Sequence, residues 1–210
     1  MNIKALIFAA AFVVPLQQPN DWQLLQYRSI AANKVNFGLE GMTVDVRASA
    51  SPIIYPLPEP QLVRHIEVTG RLNDLLTLDA TKQGLENYDD FSLKIGLVVA
   101  GDKTLNALQK LFVADWIKTL YELAPAGDGI DSIYFLNAVQ SSARLGQQRR
   151  HPLSDLIFEN NVWLLDKPGD FAMTHTLDKP LRVIAIWLSI DGDDSRSNYS
   201  TLIKSLHLES

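Results

Sequence analysis

The sequence contains no cysteine, and its 19 lysine and arginine residues are outnumbered by 24 aspartate and glutamate residues. Without cysteine, the chain has no disulfide bond, no thiolate zinc site and no cysteine nucleophile. The formal net charge of -5 offers no basic surface for a phosphate backbone, so we expect no nucleic-acid partner. The sequence also lacks a Gly-x-Ser-x-Gly elbow, a Walker loop and a dinucleotide fingerprint, which argues against the enzyme classes that depend on them.

Long apolar runs are scarce, and the one at the N-terminus is short. Residues 5–16 are uncharged, follow Lys4 and precede the polar stretch "QQPND". A run of this length does not span a bilayer, but the layout is typical of a secretory signal peptide. We therefore predict a signal peptide over 1–18, a single domain over 19–210 with no transmembrane segment, and a periplasmic or secreted protein. The alternative is that the N-terminal run is a buried strand or helix of the mature fold.

Alternation of apolar and polar residues is the commonest pattern and predicts half-buried strands. Runs that are apolar on both faces, such as "IYFLNAV" and "LRVIAIWLSI", are typical of central strands. The predicted strands, about nine or ten in number, include residues 22–28, 42–48, 53–57, 62–72, 91–99, 133–139, 161–165, 171–177, 181–190 and 200–208. The cluster of Pro52, Pro56, Pro58 and Pro60 predicts an edge or a loop, because proline cannot donate to a central ladder.

One segment follows helical spacing instead. Apolar residues from Leu105 to Leu123 recur every three to five positions, and Ala-Pro follows them. This pattern predicts an amphipathic helix over about residues 104–124. Because strands lie before and after it without alternating with further helices, we predict an all-β fold. The expected architecture is an antiparallel β-sandwich of jelly-roll type with this one inserted helix.

Two acidic groups and one tyrosine are the candidate ligand-binding residues. Asp191, Asp193 and Asp194 follow an apolar run, and their oxygens are ligands that calcium prefers. The alternative is a polar turn, since Asp-Gly is a common hairpin signal. Asp89 and Asp90 precede a predicted strand and are either catalytic carboxylates or solvated charges. Tyr55 lies in the proline-rich stretch, where an exposed ring stacks on sugars.

The ordered set of motifs resembles an uncharacterised bacterial envelope family, a domain of unknown function. The motifs are "ASASPIIYPL", "LVRHIEVTGRL", "DDFSLKIGLVV", "IYFLNAV" and "IAIWLSIDGDDSRS". The resemblance implies a galactose-binding-like jelly roll. It places the family's acidic pair on Asp89 and Asp90, and its Asp-x-Asp pattern on Asp191 and Asp193. His65 and Glu67 stand where that family has Trp-x-Trp.

From these patterns we expect an exported, non-catalytic binding module for carbohydrate or envelope polysaccharide. Its ligand would contact Tyr55, the 89–90 pair and the acidic group at 191–194, with calcium as a possible cofactor at Asp191, Asp193 and Asp194. One alternative is a glycan-active enzyme, a lyase or hydrolase, that uses the acidic loop residues. Another is a structural or assembly protein that binds protein partners. Fold alone does not choose among these functions.

Overall fold

The computed structural model describes residues 11–103, 118, 121–122, 129–151 and 154–210. These residues form eleven strands in one mostly antiparallel sheet, so the prediction of an all-β chain is confirmed. The predicted helix over 104–124 lies outside the described residues, except for Lys118, Tyr121 and Glu122, which are helical. The strands are β1 (Phe12–Val13), β2 (Gln23–Leu24), β3 (Lys34–Gly38), β4 (Gly41–Arg47), β5 (Ile53–Leu72), β6 (Lys94–Gly101), β7 (Gly129–Val139), β8 (Gln148–Arg150), β9 (Ile157–Leu164), β10 (Gly169–Ser189) and β11 (Asn198–Glu209), with a 3-10 turn at Ser142–Arg144.

The strand order is β3-β4-β11-β5-β10-β6-β7-β9-β8, with β1 paired to β11 and β2 paired to β5. The β7–β9 pair is parallel and the other pairs are antiparallel. The last two strands, β10 and β11, are not neighbours, because β5 lies between them. The loop that joins them, which begins with Ile190 and Asp191, is therefore a connection across the sheet rather than a tight hairpin.

β5 and β10 are each about twice as long as the sequence predicts. Each joins two predicted strands into one, of 20 and 21 residues. The proline-rich stretch lies inside β5, but among the described strands only β10 pairs with residues 55–64, so this part of β5 is an edge, as predicted. The register with β10 also jumps there, from Gln61 to Pro56. Pro58 and Pro60 lie in this unpaired bulge, where no ladder hydrogen bond is required of them.

The sheet folds back on itself, which brings distant strands into contact. The Tyr199 hydroxyl of β11 donates to the Phe91 carbonyl at 3.1 Å, and the Thr201 hydroxyl donates to the Ser92 carbonyl at 2.9 Å. Phe91 and Ser92 directly precede β6, and β5 and β10 lie between β11 and β6 in the sheet order. The described strands thus do not divide into two separate sheets, and the predicted jelly-roll sandwich is not confirmed.

Strands β10, β6 and β7 have two different faces, which we call the core face and the cavity face. Leu188, Ile95 and Leu136 are in register on the core face, and all three are fully buried. The next residues of the same strands, Trp187, Gly96 and Phe135, are in register on the opposite, cavity face. Because side chains alternate along a strand, the period of two in the sequence separates these faces.

Residues 11–18 are the described part of the predicted signal peptide, and they join the sheet. Phe12 and Val13 pair with β11, and Val14 and Leu16 are buried in the main core. This position agrees with the alternative of an N-terminal strand, while removal of the segment on export stays a prediction. None of the described residues belongs to a helix long and apolar enough to cross a membrane.

Candidate functional site

A cavity of about 470 Å³ opens on the cavity face, where β10 ends and β6 begins. This volume lies within the range of about 300–1,000 Å³ that is usual for small-molecule sites. The residues that line it are Tyr27, Ile30, Ala50, Asp89, Asp90, Lys94, Phe135, His151, Ser154, Ile157, Trp187, Ser189, Asp191, Asp193 and Asp194. An apolar floor and an acidic wall share this lining.

Two aromatic rings form the floor of the cavity, and a glycine lets them meet. Trp187 and Phe135 lie edge to face, with centroids 5.2 Å apart and planes at 69°. Gly96 lies between them in the register. A Cβ atom at Gly96 would be 2.7 Å from Cε1 of Phe135, which is too close for an ordinary contact. The absence of a side chain at this position therefore keeps the two rings together.

The acidic wall is built from two loops that hydrogen bonds hold together. The Asp90 carboxylate accepts from the backbone N–H groups of Asp194, at 3.3 Å, and Ser195, at 2.6 Å. In return, the backbone N–H of Asp89 donates to Asp194 Oδ2 at 3.3 Å. The two acidic groups, which are about 100 positions apart in the sequence, thus converge on one cavity.

Asp191 is a buried carboxylate of the wall, with 7% of its surface exposed, and Asp90 is buried as well. Its side chain lies on the same side as Trp187 and Ser189, which precede it at intervals of two. The Ser189 hydroxyl oxygen is 2.8 and 2.9 Å from its two carboxylate oxygens. Burial raises the pKa of Asp191 to about 7, against the opposing effects of Lys94 and the Ser189 hydrogen bond. This carboxyl group therefore titrates near neutral pH.

The pKa values of the neighbouring carboxyl groups are raised as well. Burial, and next the charge of Asp90, raise the pKa of Asp193 to about 6. Burial also raises the pKa of Asp90, although the hydrogen bonds from Ser195 oppose the shift. Carboxylates that crowd a poorly hydrated wall repel each other and hold protons to a higher pH.

An ion-pair network lies beside this wall. Lys94 Nζ is 2.8 Å from Glu159 Oε1, and both side chains are almost fully buried. Arg149 binds Glu159, Asp89 and the carbonyl of Gly84 through its three guanidinium nitrogens. Lys94 and Arg149 therefore neutralise Glu159 and Asp89.

The network favours the charged forms of its members, whereas the wall favours the neutral forms of its carboxyl groups. Burial alone would raise the pKa of Asp89, but a hydrogen bond from His151 and the charges of Lys94 and Arg149 lower it overall. Burial alone would lower the pKa of Lys94, but the nearby carboxylates, Glu159 first, raise it overall. Asp89 is thus ionised at neutral pH, where Asp191 is only partly ionised.

The structure does not group the predicted calcium ligands. Among the described residues, the group of three whose potential ligand atoms lie within 4.8 Å of one another is Asp89, His151 and Glu159. Arg149 already binds both carboxylates of that group. Asp191, Asp193 and Asp194 line the cavity without converging in this way, so calcium at these three residues stays a prediction.

Tyr55 does not line this cavity, so the structure does not bring it together with the acidic candidate residues. It is in register with Ile186, one position before Trp187, and so faces the opposite side of the sheet. There its ring lies 5.2 Å from Trp22 and 6.4 Å from Phe12, with 4% of its surface exposed. Tyr55 is thus covered by Trp22 and by Phe12, which belongs to the segment predicted as a signal peptide.

Several residues of the site were not predicted from the sequence, although two gave a signal. Lys94 is the single charge in the apolar run "FSLKIGLVV", at a position of the opposite parity to Leu93 and Ile95. Trp187 precedes Asp191 by four positions, so the period of two places both on one face. Phe135 and Tyr27 gave no such signal, because the residues that surround them in the cavity come from other strands and loops.

No family model matches this chain. None of the curated proteins matches it either, so the resemblance to the envelope family is not confirmed. In structure, the chain resembles a xylan-binding module, CBM15, with a TM-score of 0.40 and 12% identity over 96% of both chains. It also resembles xylanase 10C of Cellvibrio japonicus in complex with xylopentaose (0.38, 12%, 95% of this chain and 28% of that one). A third likeness is to the Crh5 transglycosylase in complex with NAG (0.34, 10%, 96% and 84%). Values this low do not establish a shared function.

Proposed function

We propose that this protein is a carbohydrate-binding module whose ligand occupies the cavity beside Trp187 and Asp191. The observation that carries the proposal is the convergence of an aromatic floor and an acidic wall in one cavity. A sugar ring presents apolar C–H groups on one face and hydroxyl groups around its rim. Aromatic rings cover the first, and carboxylates accept hydrogen bonds from the second.

The two outermost carboxylates are positioned to meet a ligand first. Asp194 is exposed and Asp193 is half-buried, while Asp191 and Asp90 lie deeper in the same cavity. The backbone of this loop is fixed by Asp90, so the wall is formed before the ligand arrives.

The proposal includes export, with an envelope polysaccharide as the source of the sugar. Its support is the N-terminal layout of Lys4, an uncharged run and a polar stretch. Mass spectrometry of the N-terminus, on protein from the periplasm or medium of an expressing bacterium, tests it. Recovery of the full-length chain from the cytoplasm alone would contradict export and leave the binding proposal standing.

A glycan array followed by isothermal titration calorimetry tests the binding function. We expect a sugar to bind the wild-type chain and Asp193→Asn to weaken it roughly ten-fold, the effect of one charge-assisted hydrogen bond of about 1.5–3 kcal/mol. Asp166→Asn is the matched control, because Asp166 is exposed and does not line the cavity. An array with no bound sugar, or equal losses in both variants, would overturn the proposal.

A second candidate function is glycan cleavage, which the split between two carboxyl pKa values favours. The pKa of Asp191 is raised to about 7. The pKa of Asp89 is lowered, although its burial alone would raise it. Pairs of carboxyl groups with separated pKa values are what general acid and general base roles require. A reducing-end assay on each bound sugar separates the two functions. Turnover that Asp191→Asn abolishes supports an enzyme, and stable binding without new ends supports a module.

A further inference from the structure

We propose that the ligand of this cavity carries a protonated amine, which binds to Asp191 beside Asp90 and Asp193. The inference deepens the proposed function and depends on it, since it names the class of sugar as an amino sugar with a free amine. Three independent observations support it: the unbalanced charge of the wall, a hydrogen-bond acceptor without a donor, and the aromatic lining.

The wall has carboxylates that form no salt bridge with a cation among the described residues, although the charge of Lys94 lowers the pKa of Asp191. Lys94 and Arg149 are committed to Glu159 and Asp89. No salt bridge between described residues includes the other four acidic residues of the cavity. These are Asp90, Asp191, Asp193 and Asp194. A neutral ligand would leave this wall as it is, whereas a cation would relieve the repulsion among its members.

Asp191 has an acceptor that the protein does not satisfy. Both of its oxygens lie within hydrogen-bond distance of one hydroxyl, that of Ser189. A serine hydroxyl has one proton, so it donates to one of these oxygens and not to both. Among the described residues the structure shows no second donor to the other oxygen, and Asp191 is buried and lines the cavity. An ammonium group brings the charge and the N–H donors that this oxygen lacks.

The aromatic residues of the cavity suit a cation as well as a sugar ring. Tyr27, Phe135 and Trp187 all line it, and the faces of such rings attract positive charge. The chain itself shows this interaction at the edge of the cavity, where Lys94 Nζ lies 5.0 Å from the centroid of Phe135. An amine bound in the cavity would make the same cation–π contact with these rings. It would do so away from Lys94, the one lysine among the described lining residues.

Amine binding has a proton signature that neutral sugar binding lacks. The pKa of Asp191 is raised to about 7 and that of Asp193 to about 6, so both hold protons in part at pH 6.5. A bound cation favours the ionised forms and releases those protons. The groups that face Asp191 from the surrounding elements are Lys94 on β6, Ser189 on β10, Tyr199 on β11, and Asp90, Asp193 and Tyr27 in the loops. Among them, Lys94 is the one described cation.

Three disaccharides that differ only at carbon 2 test the inference: cellobiose with a hydroxyl, chitobiose with an acetamide, and the deacetylated chitosan disaccharide with an amine. Calorimetry at pH 6.5, in two buffers of different ionisation enthalpy, gives both affinity and proton release. We expect the amine to bind at least ten-fold more tightly than cellobiose, with protons released, and to weaken as salt is added.

Asp191→Asn is the first variant, and we expect it to reduce amine binding to the level of cellobiose. Asp193→Asn is the second, in case the buried substitution impairs folding, and Asp166→Asn is the control. Equal affinities for the amine and cellobiose would overturn the amine inference and leave the carbohydrate proposal intact. Binding of none of the three, with a blank glycan array, would overturn the proposed function. Millimolar calcium that raises the melting temperature and displaces the amine would overturn the inference in favour of a metal site.

Discussion

The core face and the cavity face belong to the same three strands, yet different interactions stabilise them. On the core face Leu188, Ile95 and Leu136 pack without polar atoms, and size alone decides whether a residue fits. One position away, the cavity face carries Lys94 and Glu159 as a buried ion pair beside an open cavity. The comparison shows that a sheet can bury charge beside an open cavity when its other face supplies an apolar core.

Removing the charge of Lys94 should give the largest difference in stability between a variant of the cavity face and a variant of the core face. Lys94→Met should lower the free energy of unfolding by roughly 3–5 kcal/mol, because it leaves Glu159 buried with one cation fewer. Leu97→Met, on the same strand and the core face, should cost less than about 1.5 kcal/mol, because it conserves volume. Urea denaturation of both variants measures the contrast.

Adding Glu159→Gln to Lys94→Met checks the cause of that loss. The double variant should recover part of the stability, since the buried charge is removed together with its partner. Equal costs for Lys94→Met and Leu97→Met would show that the two faces do not differ in this way.

The pH dependence of stability should come from the cavity face. The pKa of Asp191 is raised to about 7 from an ordinary 3.8, so the folded state holds this proton more tightly than the unfolded state. Its contribution is complete below about pH 4 and is lost as the pH rises through about 7. The unfolding free energy of the wild type should therefore fall relative to that of Asp191→Asn, by roughly 3–4 kcal/mol across this window. Denaturation curves at pH 4, 5.5 and 7.5 measure it, and parallel pH profiles would contradict it.

Filling the space above Gly96 should disturb the floor of the cavity. Gly96→Ala places a methyl group against Phe135 and should cost roughly 1–3 kcal/mol. It should also change the near-UV circular dichroism, because Phe135 and Trp187 must separate. Gly38→Ala is the control, since a Cβ there meets nothing within 4 Å. If both alanine variants have wild-type stability and spectra, the floor does not depend on this glycine.

The smallest effect is expected at Tyr55, the candidate residue that lies on the core face. Tyr55→Phe should change the free energy of unfolding by no more than about 1 kcal/mol. It should leave the affinity for any sugar unchanged, because its ring packs against Trp22 and not in the cavity. A ten-fold loss of affinity in this variant would return Tyr55 to the site.

The candidate site was predictable in part, and the part that was missed has a common reason. Asp89, Asp90 and the acidic group after β10 stand out in the sequence because each is an acidic cluster beside an apolar run. Their convergence, and the joining of Phe135 and Trp187 across Gly96, depends on strand neighbours that are distant in the sequence. The burial of Tyr55 was not predictable in this way, because it depends on the packing of Trp22 and Phe12.

The sequence by itself determined most of the strands and the two faces of each, because a period of two is a local property of a pleated backbone. It also determined where the acidic clusters lie along the chain. It did not predict β3 or β8. Only the tertiary structure decided that predicted strands merge into β5 and β10, that the sheet folds back on itself, and that two distant loops share one cavity. These features depend on which strands pair, and pairing is set by contacts between residues far apart in the chain.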